Sequence, residues 1–398
     1  MVATMTTANN ILKEIYEPKI REQLANWNRV TKRMEQSAEN IQSDVGGKYV
    51  VFATHVKRNS GVGARLEMEA LPTAQNQSFA RAQVSLAYLY GSIRLSGQTF
   101  ELAETNEQAF ASVLDQEING IQTDVKRDLN RQVFGTSLGS IATANATYTT
   151  TNTFPVSSTM PYVEVGEVID IWDSTGNTTL KASARNITAI NPGVSITFDG
   201  TAISGVAGDI MTRTGSATRE ITGLQDIVKS SGVLYGIDPA TYPVWTAQVE
   251  NNSGTLRALS EGLMIKEADD IYTRGGDTTV IWTTLGVRRA YFNLLQQQRR
   301  YTDTKEFEGG FSGLAFCTDR GDIPLMADID CPPNSMYFLN ENQITVYRPQ
   351  DWGFMDRDGS RFIRVIGYDA YDATLYKYMQ LGCHQRNSQG LLGDIAEG

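Results

Sequence analysis

The sequence predicts an α+β fold arranged around one very long helix. Three observations predict it. Apolar residues at Phe110, Leu114, Ile118, Ile121, Val125, Leu129 and Val133 keep to one helical face between Thr105 and Phe134. Before that run, two alternating stretches, 48–56 and 79–95, flank a polar, glycine-bearing tip. After it, residues 160–221 break into short strand patterns separated by Ser-Thr-Gly-Asn, Asn-Pro-Gly and Asp-Gly turn signals.

In chain order, residues 9–40 carry helical spacing at Ile11, Leu12, Ile15, Ile20, Leu24, Trp27 and Val30, kinked at Pro18. They read either as an extended arm of helical pieces on a partner surface or as a first helix packed on its own domain. Gly46-Gly47 opens a strand, Lys48 to Val56. The tip runs from Lys57 to about Ser78, with Gly61, Gly63 and Pro72, and the return strand spans Phe79 to Leu95, where Val84, Leu86, Tyr88 and Tyr90 alternate. A two-stranded hairpin is marginal alone in water, so this one is expected to lie on a neighbouring subunit.

The helix has start and stop signals. Thr105 and Gln108 form a capping box, and Gly135 sits where a left-handed C-cap would end it. Glu104, Glu107, Asp115 and Glu117 crowd its front and Lys126, Arg127 and Arg131 its rear, matching the helix dipole. At the usual rise it would be roughly 45 Å long.

Residues 136–153, rich in Ser, Thr, Ala and Asn, read as a linker into a small all-β module. Its strands are expected at Tyr162–Val165, Val168–Trp172, Ile187–Ile190, Val194–Phe198 and Ile210–Arg213. Mixed structure follows: helices over Gly254–Arg274 and Thr284–Arg300, and strands at Thr278–Trp282, Leu325–Ile329, Ser335–Leu339 and Thr345–Tyr347. An aromatic turn, 348–360, precedes strands Arg361–Tyr368 and Thr374–Leu381 and a polar tail.

Composition narrows the function. Hydrophobic residues at 41% and charged residues at 20% are globular values. A net charge of −10 argues against a protein that coats nucleic acid by neutralising phosphates. The N-terminal residues lack a signal-peptide pattern, and no stretch reaches the apolar length of a membrane span. Cys317, Cys331 and Cys383, unpaired in number and widely spaced, are expected to be buried reduced thiols.

Four motifs bear on chemistry. Gly135-Thr-Ser137-Leu-Gly139 matches a nucleophile elbow by letter, which would make Ser137 a hydrolase nucleophile. That chemistry needs a strand entering a helix and a nearby base, and the chain offers only His55 and His384. Asp356-Arg357-Asp358-Gly359 resembles half a calcium loop without its closing Glu. Asp328 and Asp330 beside Cys331 lack a second ligand cluster. Gly61-Val-Gly63 lacks the third glycine of a dinucleotide loop. No catalytic, cofactor or metal residue is assigned.

The order of arm, hairpin, long helix, α/β region and late strand pair is specific. So are Asp128-Leu-Asn-Arg-Gln-Val-Phe-Gly135, Pro332-Pro-Asn-Ser-Met-Tyr-Phe-Leu-Asn340, Asp351-Trp-Gly-Phe-Met-Asp-Arg-Asp-Gly359 and Asp369-Ala-Tyr-Asp-Ala-Thr-Leu-Tyr-Lys377 with Gln380-Leu-Gly382. Nearly the whole chain resembles the major capsid proteins of tailed double-stranded DNA bacteriophages, the Hong Kong 97-like fold. The resemblance implies an N-terminal arm (1–45), an E-loop hairpin (46–96), a peripheral domain with its spine helix (97–141), a linker and inserted β-barrel-like domain (142–222), an axial domain (223–340), and peripheral strands with a C-terminal return (341–398).

It further implies a subunit of hexameric and pentameric capsomers, forming an icosahedral shell around double-stranded DNA, with a portal protein at one vertex and a decoration protein as a further partner. No long pro-segment precedes the arm, so a separate scaffolding protein is expected. The shell would be assembled in the host bacterial cytoplasm, without a membrane. Candidate intersubunit contacts are Trp27, Lys57, Arg58, Arg65, Glu67, Trp352, Asp356, Arg357 and Asp358. Some relatives crosslink a hairpin Lys to a neighbour's Asn; here Lys57 would face Asn334, Asn340 or Asn342. An encapsulin-like compartment is the alternative within the fold.

Overall fold

The computed structural model describes residues 28–36, 41–43, 49–98, 107–157, 163–174, 178–297, 314–356 and 360–398. Most of the arm, the Thr105 cap, the Gly46-Gly47 opening, Tyr162 and the 357–359 turn lie outside these residues, as do the side chains of Phe110 and Leu114. Along the chain come α1 (Arg29–Gln36), β1 (Ile41–Gln42), β2 (Val50–Lys57), β3 (Ser78–Val84), β4 (Ala87–Ser96) and the long helix α2 (Glu107–Phe134). Short strands follow: β5 (Ser140–Thr143), β6 (Tyr148–Thr151), β7 (Thr153–Pro155), β8 (Val168–Trp172), β9 (Leu180–Asn191), β10 (Ser195–Phe198), β11 (Ile203–Gly205) and β12 (Ile210–Arg213).

The mixed region holds α3 (Leu224–Ile227), β13 (Gln248–Glu250), α4 (Glu261–Thr273), β14 (Val280–Thr283) and α5 (Leu285–Gln297). It continues through β15 (Leu314–Thr318), β16 (Gly321–Ala327) and β17 (Met336–Leu339). The chain closes with β18 (Ile344–Tyr347), β19 (Gly353–Phe354), β20 (Ile363–Arg364), β21 (Ala370–Cys383) and β22 (Gly390–Leu392).

Among the described residues three larger sheets organise the molecule. In the first, β21 is the axis: it pairs antiparallel with β4, β18, β19 and β20, and β1 lies parallel to β18. The long helix packs across this sheet at Gly91. A Cβ there would fall 2.6 Å from Val125 Cγ1 and 3.0 Å from Ile121 Cδ1, so only glycine lets strand and helix approach so closely.

The second sheet runs β5-β12-β8-β9-β10-β7 and is antiparallel throughout. It has its own core, in which Phe154, Ile169, Ile171, Ile196, Phe198 and Met211 are almost wholly buried.

The third sheet, β13-β22-β17-β14-β16-β15, is buried on both faces, as its near-continuous apolar strands require. Val280, Trp282, Tyr337 and Leu339 face a core that includes Phe134 at the end of α2. Ile281, Met336, Phe338 and Leu392 face the other way, against Met264, Ile271 and Tyr291 of α4 and α5.

Several expectations need correction. Residues 136–153 are not a linker: β5, β6 and β7 arise there, and Ile141, Tyr148 and Phe154 fill the second core. The long return strand is two strands. β3 pairs with β2, but β4 leaves the hairpin at Ser85-Leu86 and joins β21. Residues 163–165 form no strand, and Arg361–Tyr368 contributes only β20. The helix expected from Gly254 starts at Glu261, where the Ser260 hydroxyl accepts from the Leu263 amide. Gly135 is not left-handed, and the helix ends there without such a cap; the left-handed glycine is Gly139, at φ 77°, which closes the following turn onto the Thr136 carbonyl. The tail after Leu381 is no polar end, because β22 inserts between β13 and β17. Cys331 and Cys383 are buried, but Cys317 is exposed.

Candidate assembly site

Two features are built in opposite ways, an apolar tip in solvent and a polar hub in the interior. Strands β2 and β3 pair from Val50↔Val84 to Lys57↔Ser78. Beyond them residues 58–77 form no strand. This tip is held by local bonds: Asn59 Oδ1 accepts from the Gly61 amide at 2.7 Å, Glu69 Oε2 accepts from the Leu66 amide at 2.9 Å, and Arg65 Nε donates to the Ala70 carbonyl at 2.9 Å. A Cβ on Gly61 would meet the Thr73 carbonyl at 2.9 Å, so glycine closes the tip. Val62, Leu66, Met68 and Leu71 are 86%, 81%, 100% and 84% exposed. Their own chain gives them almost no cover, and a cluster of exposed apolar side chains marks an interaction surface.

The hub lies in the Asp128–Gly135 segment at the end of α2. Arg131 Nη2 donates to Glu220 Oε1 at 2.5 Å and Arg131 Nε to Asp128 Oδ1 at 3.0 Å. Arg213, from the second sheet, bridges Asp128 and Glu167, each at 2.5 Å. Burial pushes the Asp128 carboxyl up, but Arg131, Arg213 and the Gln132 amide outweigh it and hold it at about 2. Burial, with the nearby Asp128 charge, raises Glu220 against the pull of Arg131. Asn130 donates to Asp328 and Asp330 at 3.1 and 2.7 Å, and its Oδ1 accepts from the Thr31 hydroxyl at 3.3 Å. Arg127 also pairs with Asp330. One turn of helix therefore joins the arm, the second sheet and the 328–330 turn.

The arm helix α1 is fastened again farther along. Lys377, buried in β21, donates to Glu35 at 2.5 Å and pairs with Asp351 at 3.1 Å. Arg348 reaches Glu35 at 3.0 Å, and Arg33 reaches Glu341 at 2.8 Å.

The sequence candidates separate accordingly. Lys57, Arg58, Arg65 and Glu67 are exposed on the hairpin, whereas Asp356 is exposed after β19. Trp352 is half-buried against its own core, with the Lys377 Nζ 5.7 Å from its ring centre. Trp27, Arg357 and Asp358 lie outside the described residues. Asn340 is buried, its side chain capping the Asn342 amide.

Ser137 follows a helix, and its amide donates to Asp226 at 2.7 Å. His384 packs at a tilt against Phe52 and contacts the Tyr347 and Thr345 hydroxyls, while His55 contacts the Lys57 carbonyl. Asp328 and Asp330 face Asn130 and Arg127. Among the described residues no group of three or more His, Cys, Asp or Glu is placed to hold a metal.

Sequence reasoning missed the hub. Its signal was present, because Asp128, Asn130, Arg131 and Gln132 surround a helix that also buries Leu129 and Val133. Polar groups on every side of a buried turn need partners from several elements.

This architecture, a projecting hairpin on a helix-backed sheet with a second α/β lobe, is that of capsid subunits. The cyanophage A-1(L) capsid has a TM-score of 0.64 at 15% identity over 99% of both chains. The capsid of a native GTA particle has 0.54 at 10% over 100% of both, and the capsid of Myoviridae phage XM1 has 0.52 at 9% over 97% of both. An encapsulin complex from Synechococcus elongatus is more distant, at 0.47 and 6% over 100% of this chain and 97% of that one. No curated protein matches. The profile of the SU10 major capsid protein matches residues 7–358. The chain belongs to the SU10 major capsid protein family; its fold is the Hong Kong 97-like capsid fold, and its role is structural.

Proposed function

We propose that this chain is the repeating subunit of an icosahedral phage shell, assembled as hexamers and pentamers around double-stranded DNA. The observation that carries this reading, beside the family, is the hairpin tip, whose four apolar side chains stand in solvent and need a neighbour to cover them. Lys57, Arg58, Arg65 and Glu67 surround that contact, and Asp356, Arg357 and Asp358 with Trp352 serve contacts between capsomers, as Trp27 of the arm does with a partner. The domain division follows the sequence reading: arm, hairpin, peripheral domain, β module, axial domain and C-terminal return. The β module, with its own core, behaves as an inserted unit.

A separate scaffolding protein, a portal at one vertex and a decoration protein complete the particle, which forms in the host cytoplasm without a membrane. The subunit carries no catalytic activity. With 45 acidic against 35 basic residues the subunit binds DNA weakly, and closure of the shell confines it.

The test replaces Arg58–Asn76 with a short turn and co-expresses the variant with its scaffold. The remaining pairs of β2 and β3 keep the subunit folded by circular dichroism, and negative-stain imaging shows no closed shells. Normal shells from the deleted protein would overturn this assignment.

A further inference from the structure

Glu267 is a buried titratable group that neither the hub nor the tip employs. Glu267 lies on α4 and is wholly inaccessible to solvent. Neither of its carboxyl oxygens makes a well-formed hydrogen bond, and the Leu391 amide gives only a weak one. It presses directly on the last strand: a Cβ at Gly390 would lie 2.7 Å from Glu267 Oε1 and 2.5 Å from Ile271 Cδ1, so β22 can run there only as glycine.

We infer that Glu267 is carried as a neutral carboxylic acid in the folded subunit, and that its ionisation unseats the C-terminal strand β22 from the third sheet. The surroundings offer the charged form little, namely a Lys266 already engaged elsewhere and one weakly placed amide. On its own helix Asp270 is a like charge, and Lys266 pairs with Asp270 and Glu250 at 3.0 and 2.8 Å. On β13, Glu250 is a second like charge, paired with Arg257 at 3.3 Å, and Gln248 donates to Asp270.

In the segment before β22, the Arg386 guanidinium is held by the carbonyls of Asp226, Ile227, Ser231 and Gly232. Strand β22 itself, Gly390-Leu391-Leu392, has no side-chain donor; its Leu391 amide favours the ionised form only weakly. Burial, then Asp270 and Glu250, push the Glu267 carboxyl up to about 8.

The sign follows. A folded value above the ordinary one of 4.5 gives stability that is full below that value, falls as pH rises and is lost above about 8. The strand that responds lies inside the sheet, next to its β13 edge. β22 bridges β13 and β17, and Leu392 and Ile395 beside it are fully buried. Its release would open the third sheet between these neighbours.

The test follows amide hydrogen exchange of Leu391 and Leu392 in the full chain from about pH 6 to about pH 9, corrected for intrinsic rates, in wild type and Glu267→Gln. Wild type loses at least about tenfold protection at these amides across the range, while Glu267→Gln stays flat. Equal pH dependence in the two proteins, or flat protection in wild type, overturns the inference. Should Glu267→Gln fail to fold, the wild-type exchange profile still tests the strand, and infrared spectroscopy of wild type tests the protonation. A protonated-carboxyl band that persists at about pH 7 and disappears by about pH 9 supports it; its absence at about pH 7 overturns it.

Discussion

The hairpin tip and the end of the long helix invert the usual rule for what lies inside a protein. Val62, Leu66, Met68 and Leu71 stand in solvent, while Asn130, Arg131 and Gln132 are drawn into the interior with Asp128 half-buried beside them. The tip is closed by bonds within its own loop and contributes little to the subunit's stability. The hub joins elements distant in sequence, such as Thr31, Glu220 and Asp328. Charges buried in this way cost desolvation, which only complete pairing offsets. The contrast separates residues that hold one subunit together from residues free to hold several.

That contrast can be broken at its strongest point first. Arg131→Ala leaves Glu220 buried without its cation and Asp128 with one guanidinium fewer, and is expected to cost about 3–5 kcal/mol of subunit stability in denaturant melts. A loss below about 1 kcal/mol would show that the hub is not structural.

The next largest effect is a pH dependence. Asp128 is held at about 2 against an ordinary 3.8, so its contribution is present above the ordinary value and is lost as pH falls through about 2. Wild type therefore loses stability over that acid range, and Asp128→Asn, already weaker near neutrality, has the shallower slope. Parallel acid profiles would assign the titration to another carboxyl.

The smallest expected effect is Met68→Ser. Removing a fully exposed side chain should change subunit stability by less than about 0.5 kcal/mol, measured by thermal unfolding. A large loss would mean that the tip packs on its own chain.

Much of this was legible in the sequence. The helix from Glu107 to Phe134 followed from its spacing, and four motifs carried the family. The break between β3 and β4 was missed because Val84, Leu86, Tyr88 and Tyr90 continue one alternation across it. In the folded chain the buried phase changes at Ser85-Leu86, from Ala80, Ala82 and Val84 to Ala87, Leu89, Ile93 and Leu95, so Tyr88 and Tyr90 face solvent. That shift of one residue was the available signal. The strands within 136–153 were hidden because Ser, Thr and Ala suit turns and half-buried strands alike. The strand at Gly390–Leu392 was too short to show periodicity, and only its place between β13 and β17 gives it meaning. The hub's partners are tertiary: nothing local links Asp128 to Arg213 or Arg131 to Glu220.

The most direct measurement is oxidative footprinting of Met68 in the free subunit and in assembled particles. If the hairpin tip is an intersubunit contact, Met68 oxidises rapidly in the free subunit and at least about tenfold more slowly in the particle. Equal oxidation in both states would contradict the account, because the exposed tip would then cover nothing and be covered by nothing.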